Sequence, residues 1–219
     1  MIITIDGPAG AGKSTVARAL ARRLGFRFLD TGAMYRAVAL AGYRRGLDWD
    51  VPDDLAQLAK KLDIQMSGEQ IFLDGEDVTE AVRTSGVTAV TRYAAGNPHV
   101  REQLVALQRT LAVGENIVTE GRDQGTVAFP DAACKIFLTA SPLERAKRRL
   151  RDLKSQGEPA TLEQVLTAQD RRDREDAARA VGPLMPAADA IEVCTDGMTL
   201  DEVVHRLETL ATARRKMTE

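Results

Sequence analysis

Met1-Ile2-Ile3-Thr4-Ile5-Asp6 runs straight into Gly7-Pro8-Ala9-Gly10-Ala11-Gly12-Lys13-Ser14-Thr15, and then into a segment that ends at Gly25. The apolar run Ile2–Ile5 reads as a buried strand. The loop after it fits G-x-x-x-x-G-K-[ST]. Beyond the loop, Val16, Leu20 and Leu24 fall on one face of a helix that Gly25 would stop as its C′ residue. Strand, spacing and helix are the context this motif requires. The glycines permit a turn whose backbone N–H groups converge on a β-phosphate at a helix N-terminus. Lys13 can reach the β- and γ-phosphates, and the Ser14 hydroxyl can ligate Mg²⁺. A chance glycine-rich turn is the plain alternative, and it would need all three features to coincide. The expectation is a nucleoside triphosphate held with Mg²⁺ on residues Gly7 to Thr15.

Working outward, Phe26–Leu29, Ile117–Thr119, Ile136–Thr139 and Ile191–Cys194 are further short apolar runs bounded by polar or Gly positions. Helical patterns separate them. Ser141-Pro142-Leu143-Glu144 offers an N-cap, a proline at the first helical position and a capping-box Glu. Thr161…Gln164 and Thr199…Glu202 repeat the box, and Leu200, Val203, Val204, Leu207 and Leu210 give the last helix an apolar face. Alternation of strands and helices predicts a five-stranded parallel sheet covered on both faces. The gap between the second and third core strands is too long for one crossover. It predicts helices over about 33–45 and 53–62, then an inserted segment over 63–97 with a β-hairpin of Ile64–Met66 and Ile71–Leu73.

The chain has 219 residues, more than one average domain, which fits one core with an insertion or lid. Its net charge of −2 makes a duplex nucleic-acid surface an unsuitable reading. His99 and His205 are its two histidines, which excludes a histidine-rich metal site. Cys134 and Cys194 are far apart in apolar runs and predict buried free thiols in a reducing cytosol. No apolar run approaches membrane-spanning length, and the first residues read as a core strand rather than a signal peptide. Of the 30 basic residues, 23 are Arg, whose planar fork suits phosphates, although compositional bias could also produce the excess.

The phosphate-loop motif alone does not choose among kinase, GTPase, motor and transporter ATPase. No N-K-x-D element for guanine is present, and the chain is short for a transporter ATPase. Arg36 and Arg122 each follow a core strand, where ligands bind in open α/β sheets. Two phosphorylated substrates repel, so phosphoryl transfer calls for several guanidiniums around the moving group. The charged stretch 150–182, with Ser155-Gln156-Gly157-Glu158-Pro159 in its middle, reads either as a lid that excludes water or as a solvated helix pair.

Three stretches, together with the phosphate loop, carry a resemblance. They are Asp30-Thr31-Gly32-Ala33-Met34-Tyr35-Arg36, Glu120-Gly121-Arg122-Asp123-Gln124-Gly125-Thr126, and Arg171-Arg172-Asp173…Asp176…Arg179…Pro183-Leu184. In order and spacing they resemble the bacterial cytidylate kinases over nearly the whole chain. The resemblance implies the P-loop nucleoside monophosphate kinase fold, with a core over about 1–30, 115–145 and 183–219. It implies a monophosphate-binding region with its insert over about 31–114 and a short lid over about 146–182. It implies transfer of the γ-phosphate of MgATP to CMP or dCMP by a cytoplasmic monomer, with neither nucleic acid nor membrane as partner. Lys13, Arg36, Arg122 and Arg179 would handle phosphates in the reaction. Thr31 would sit in the monophosphate site, Arg172 and Asp176 would hold the sugar, and Arg101 and Asp123 would address the cytosine. A carboxylate at Asp123 accepts from the cytosine amine and would repel the uracil carbonyl.

Alternatives stay open at this level. Arg101 and Arg109 could be surface residues of a long helix, Asp176 an ion-pair partner of Arg172 or Arg179 at helical spacing, and Asp30 a helix cap. Glu120 could act on Mg²⁺ through water or on the acceptor. Thr91, in Thr91-Arg92-Tyr93-Ala94-Ala95-Gly96-Asn97-Pro98, stands where a base-reading hydroxyl would be, with one extra residue before Pro98. Rival functions are a P-loop kinase acting on UMP or another metabolite, and an ATP-dependent switch.

Overall fold

The computed structural model of the chain describes residues 1–155 and 157–216. Gln156, in the middle of the expected lid, and 217–219 lie outside the described residues. The chain divides into two compact units. One is Met1–Arg27 together with the chain from Glu115 on; the other is Phe28–Gly114.

The first unit is built on strands β1 (Ile2–Asp6), β6 (Ile117–Gly121), β7 (Cys134–Thr139) and β8 (Ile191–Cys194). With β2 (Arg27–Asp30), they form a sheet in the order β2-β6-β1-β7-β8. β1 pairs in parallel with β6 on one side and β7 on the other, and β7 pairs in parallel with β8. The central strands β1 and β6 are covered on both faces and read as apolar runs, whereas the last strand, β8, buries Val193 and exposes Glu192 and Cys194. The register Asp6↔Gly121 brings the start of the Gly-rich loop beside the start of Arg122-Asp123. Helix α1 (Lys13–Leu24) packs on β6 and on the last helix, α8 (Leu200–Lys216). Gly25 ends α1 in the left-handed conformation, with Phe26 N–H donating back to the Ala21 carbonyl at 2.9 Å.

Gly7 has φ 148°, and a Cβ there would lie 2.0 Å from the Leu138 carbonyl oxygen of the neighbouring strand. Nothing larger than glycine lets the loop leave the sheet at that point. Helices α6 (Pro142–Ser155) and α7 (Leu162–Ala177) form the hairpin read as lid or helix pair. Ser141 Oγ accepts the Glu144 N–H at 3.3 Å as expected, but the Ser141 N–H donates to Asp196 Oδ1 at 2.9 Å instead of to Glu144, so only half of that box forms, whereas Thr161 with Gln164 completes a reciprocal one.

The second unit holds most of β2, then α2 (Thr31–Arg44), α3 (Pro52–Ala59), β3 (Ile64–Ser67), β4 (Gln70–Leu73), β5 (Glu76–Asp77), a 3₁₀ turn (Ala81–Arg83), α4 (Ser85–Gly96) and α5 (Pro98–Ala112). Met34, Val38, Ile71, Val82 and Val87 are at most 1% exposed and fix its core. β3, β4 and β5 form an antiparallel sheet that contains the expected hairpin.

Four readings are corrected. α2 begins at Thr31 rather than at residue 33, because Asp30 caps it. α3 ends at Ala59 rather than residue 62, because Lys61 and Leu62 donate only three residues back and tighten the chain out of the helix. β5 was missed: it is two charged residues after the turn Asp74-Gly75 and carries no apolar signal. Cys194 is exposed rather than buried, since β8 is the sheet's last strand and turns alternate side chains outward. Cys134 is buried as expected, and burial pushes its thiol up to about 11. Among the described residues, no helix is long and apolar enough to cross a membrane.

Candidate active site

The Gly-rich loop arrives from the central strand and hands its last residues to α1, so its amides face the end of a helix dipole. Lys13 is 6% exposed and donates to the Pro8 carbonyl at 2.8 Å. Its ammonium is lowered from the ordinary lysine range to about 7. Burial is the main cause, Arg122 and Arg172 add to it, and Glu120 and Asp6 partly oppose it. An ammonium kept in a dry loop among other cations has an incentive to meet an anion.

Ser14 Oγ donates to Glu120 Oε1 at 2.8 Å. Glu120, at the end of β6, is 6% exposed. A hydroxyl and a carboxylate converging at this distance are hard oxygen donors that fit Mg²⁺. Among the described residues, no group of three or more His, Cys, Asp or Glu could hold a metal.

Asp6 closes β1 and is 4% exposed. Its carboxylate accepts the N–H groups of Gln124 at 2.9 Å and Gly125 at 2.7 Å, fixing the π-helical turn Gln124–Ala128 that follows Arg122 and Asp123. Burial pushes the Asp6 carboxyl up to about 6 against those two hydrogen bonds, and neighbouring Asp123 adds to the rise. Thr119 Oγ1 donates to Gln124 Oε1 at 2.9 Å and braces the same turn. Asp123 is thereby held at 4% exposure at the carboxyl end of β6.

Arg122 Nε donates to Asp176 Oδ2 at 2.7 Å, and Arg179 Nη2 donates to Asp176 Oδ1. Asp176 is 2% exposed. Burial would raise its carboxyl, but Arg122, Arg179 and Arg172 together hold it below the ordinary range. Of the two sequence readings for Asp176, the helical ion pair with Arg179 is present, and Arg122 is a second partner that spacing could not show. Arg172 is exposed on α7. On the other side of the loop, a cavity of about 660 Å³ is bounded by Gly10–Gly12, Thr15, Arg148, Arg149 and Thr195. Arg148 donates to Thr195 Oγ1 at 2.9 Å and to the Thr195 carbonyl at 3.1 Å.

In the second unit, Asp30 Oδ1 accepts the Ala33 N–H at 2.8 Å and caps α2. Arg36 lies 3.3 Å from Oδ1 and Arg83 lies 3.6 Å from Oδ2 of the same carboxylate. Two guanidiniums on one carboxylate at a helix N-terminus leave net positive charge there. Thr31 is 2% exposed in the first turn. Arg101 is 3% exposed, its guanidinium 5.6 Å from the centre of the Tyr35 ring, and it donates to the Ala95 carbonyl at 3.3 Å. The surface reading therefore fails for Arg101 and holds for Arg109, which is exposed. Thr91 donates its hydroxyl to the Val87 carbonyl at 2.7 Å, within α4.

Lys13, Ser14, Glu120, Arg122, Asp123, Asp176 and Arg179 thus fall in the first unit, and Thr31, Arg36 and Arg101 in the second. Sequence reasoning missed Asp6, Arg83 and Thr195. Each follows or ends an element, and neither periodicity nor a known motif marks such a position.

Comparison with known proteins adds an independent line. A family model for cytidylate kinase matches residues 3–213. A cytidylate kinase of Rhodopirellula baltica is 55% identical over 203 residues, covering 93% of this chain and 89% of that protein. One from Geobacter sulfurreducens is 42% identical over 222 residues, covering 100% and 95%. Among solved structures, a shikimate kinase from Bacteroides thetaiotaomicron matches with a TM-score of 0.50 at 15% identity, over 97% of this chain and 98% of that one. That last likeness shows the fold alone. With the family model spanning residues 3–213 and the relatives matching over most of both chains, the chain belongs to the cytidylate kinase family.

Proposed function

We propose that this chain transfers the γ-phosphate of ATP to CMP or dCMP, giving ADP and CDP or dCDP. The observation that carries the reading is the site in the first unit. A lysine-bearing phosphate loop, a Ser14–Glu120 oxygen pair and an Arg122–Asp176–Arg179 cluster built on buried Asp176 belong to one compact body.

The loop amides of Gly7 to Thr15 and the Lys13 ammonium bind the donor phosphates, and the cavity by Arg148 and Thr195 takes the rest of ATP. Ser14 and Glu120 would hold Mg²⁺, which supplies charge neutralisation across the donor phosphates when bound. Arg36, Arg122 and Arg179 draw the two phosphorylated substrates together against their repulsion. They need only position and neutralise, because phosphoryl transfer demands little covalent help from the protein. We assign Thr31 to the acceptor phosphate, Arg172 and Asp176 to the sugar, and Arg101 and Asp123 to the cytosine. In domain terms we assign 31–114 to the acceptor and 146–182 to a lid over the core. We further propose that the protein acts as a monomer in the cytosol.

ADP formation from MgATP with CMP, dCMP, UMP, AMP, GMP and no acceptor tests the reading. Turnover is expected with CMP and dCMP. Slow hydrolysis indifferent to acceptor would replace the reading with a switch, and strong turnover on another acceptor would move it to another kinase.

Asp123→Ala should erode the preference for CMP over UMP by at least about tenfold. A buried acceptor matched to an amine leaves a polar group unpaired with the wrong base. The ratio of kcat/KM values for CMP and UMP reads this, and an unchanged ratio in the folded variant would place base reading elsewhere.

A further inference from the structure

Asp173 sits on α7 one turn after Gln169 and three residues before Asp176. Its two carboxylate oxygens serve different partners. Oδ1 accepts the Ala9 N–H at 3.3 Å, and Oδ2 accepts Arg145 Nη1 at 2.6 Å. The same Nη1 donates to the Ala9 carbonyl at 2.9 Å, while Arg145 Nε donates to the Ala140 carbonyl at 3.1 Å. Arg145 is 6% exposed. Both polar groups of Ala9, in the middle of the phosphate loop, are therefore held by one Arg–Asp pair. Beside it, Gln169 packs on Gly10 so closely that a Cβ there would lie 2.7 Å from its Nε2. Three residues further along α7, Asp176 takes Arg122 and Arg179.

One helix thus grips the donor loop through Asp173 and the phosphate-handling arginines through Asp176. The Asp173–Arg145 pair is close to neutral, so its effect on the loop is one of placement rather than added charge. We propose that Asp173 is a positioning residue that makes occupancy of the phosphate loop and the placement of Arg172, Asp176 and Arg179 a single event, so that donor binding tightens acceptor binding. The proposal rests on the reading of those three residues as acceptor ligands. Order imposed at Ala9 by one ligand lowers the ordering cost of the other.

The test measures CMP affinity by calorimetry, with and without a saturating non-hydrolysable ATP analogue, in the full chain and in Asp173→Ala. In the unmodified protein the analogue should tighten CMP by about fivefold or more, the lower range of ordinary coupling energies. In Asp173→Ala the ratio should fall toward one, beyond any loss of affinity for the analogue alone, and Asp173→Asn, which keeps one acceptor oxygen, should lie between. Should Asp173→Ala fail to fold, the Asn variant carries the comparison.

A second arm follows amide hydrogen exchange of α7 when the analogue alone is added, and so needs no acceptor. Protection of α7 in the unmodified protein and its loss in the variant support the proposal. Equal protection in both, no protection in either, or an undiminished coupling ratio in the folded variant would overturn it. If the unmodified protein fails to bind CMP, the functional reading falls, and the exchange arm still decides the role of Asp173.

Discussion

Lys13→Met is expected to lower turnover by roughly 10²–10⁴-fold while making the nucleotide-free protein more stable. Both halves follow from one position. Burial, with Arg122 and Arg172 nearby, lowers the Lys13 ammonium to about 7, whereas in the unfolded chain it titrates at its ordinary 10.5. The folded state therefore disfavours the charged form. This penalty is complete at and below about pH 7, shrinks as pH rises, and vanishes above about 10.5. At pH 7 it amounts to on the order of 4 kcal/mol. Methionine removes it but leaves the Pro8 carbonyl without its donor, so the net gain expected is roughly 1–3 kcal/mol. Chemical denaturation at pH 7 and pH 10 checks the sign: the gain should be present at the first and absent or reversed at the second, where the lost bond to Pro8 outweighs what is left of the penalty. A gain that grew with pH would refute the assignment.

The same residue predicts proton uptake with ATP. Donor phosphates restore the charged form, so the protein takes up a fraction of a proton at pH 7 and more of one at pH 8 to 9. Calorimetry in buffers of different ionisation enthalpy reads that number, and Lys13→Met should remove the Lys13 share. Asp6, raised to about 6, also faces this loop, and its own titration lies below the window used.

Much of the fold was legible, because the central strands β1 and β6 are buried on both faces and so spell apolar runs, and because the caps at Ser141, Thr161 and Thr199 use local chemistry. The phosphate loop was legible for a different reason: Gly7 and Gly10 are dictated by backbone geometry, at φ 148° and 77°, which only one residue type adopts freely. What remained hidden was long-range pairing. Asp176 is three residues from Arg179, so that ion pair was among the alternatives, but its bond to Arg122 spans 54 positions. Asp6 bracing Gln124 and Gly125 spans more than a hundred. Arg83 meeting Asp30 depends on how a 3₁₀ turn packs near the start of α2. Such contacts are set by the register of the sheet and the packing of helices, to which single-sequence patterns are blind.

Arg179→Ala should leave the fold in place and lower turnover by roughly 10²–10⁴-fold, the scale of a lost contact to developing charge in the transition state. The fold survives because Asp176 keeps Arg122, so no buried charge is stranded. The stability lost at pH 7 should be about 1 kcal/mol. Asp176 is held below its ordinary range, so its contribution is present above the unfolded value of 3.8 and disappears as pH falls through the folded one. The variant and the unmodified protein should therefore converge in stability under acid while remaining far apart in rate at pH 7. A charge that acts on the reacting phosphate is expected to appear mainly in kcat, whereas one that only binds the acceptor would appear in the KM for CMP. Arg179→Lys separates the two further. It keeps the charge but loses the fork that holds Asp176 and would reach the phosphate, so it should recover part of the binding and little of the rate. Near-normal kcat in a folded Arg179→Ala protein would remove this residue from the transfer step and leave Arg36 and Arg122 to carry it.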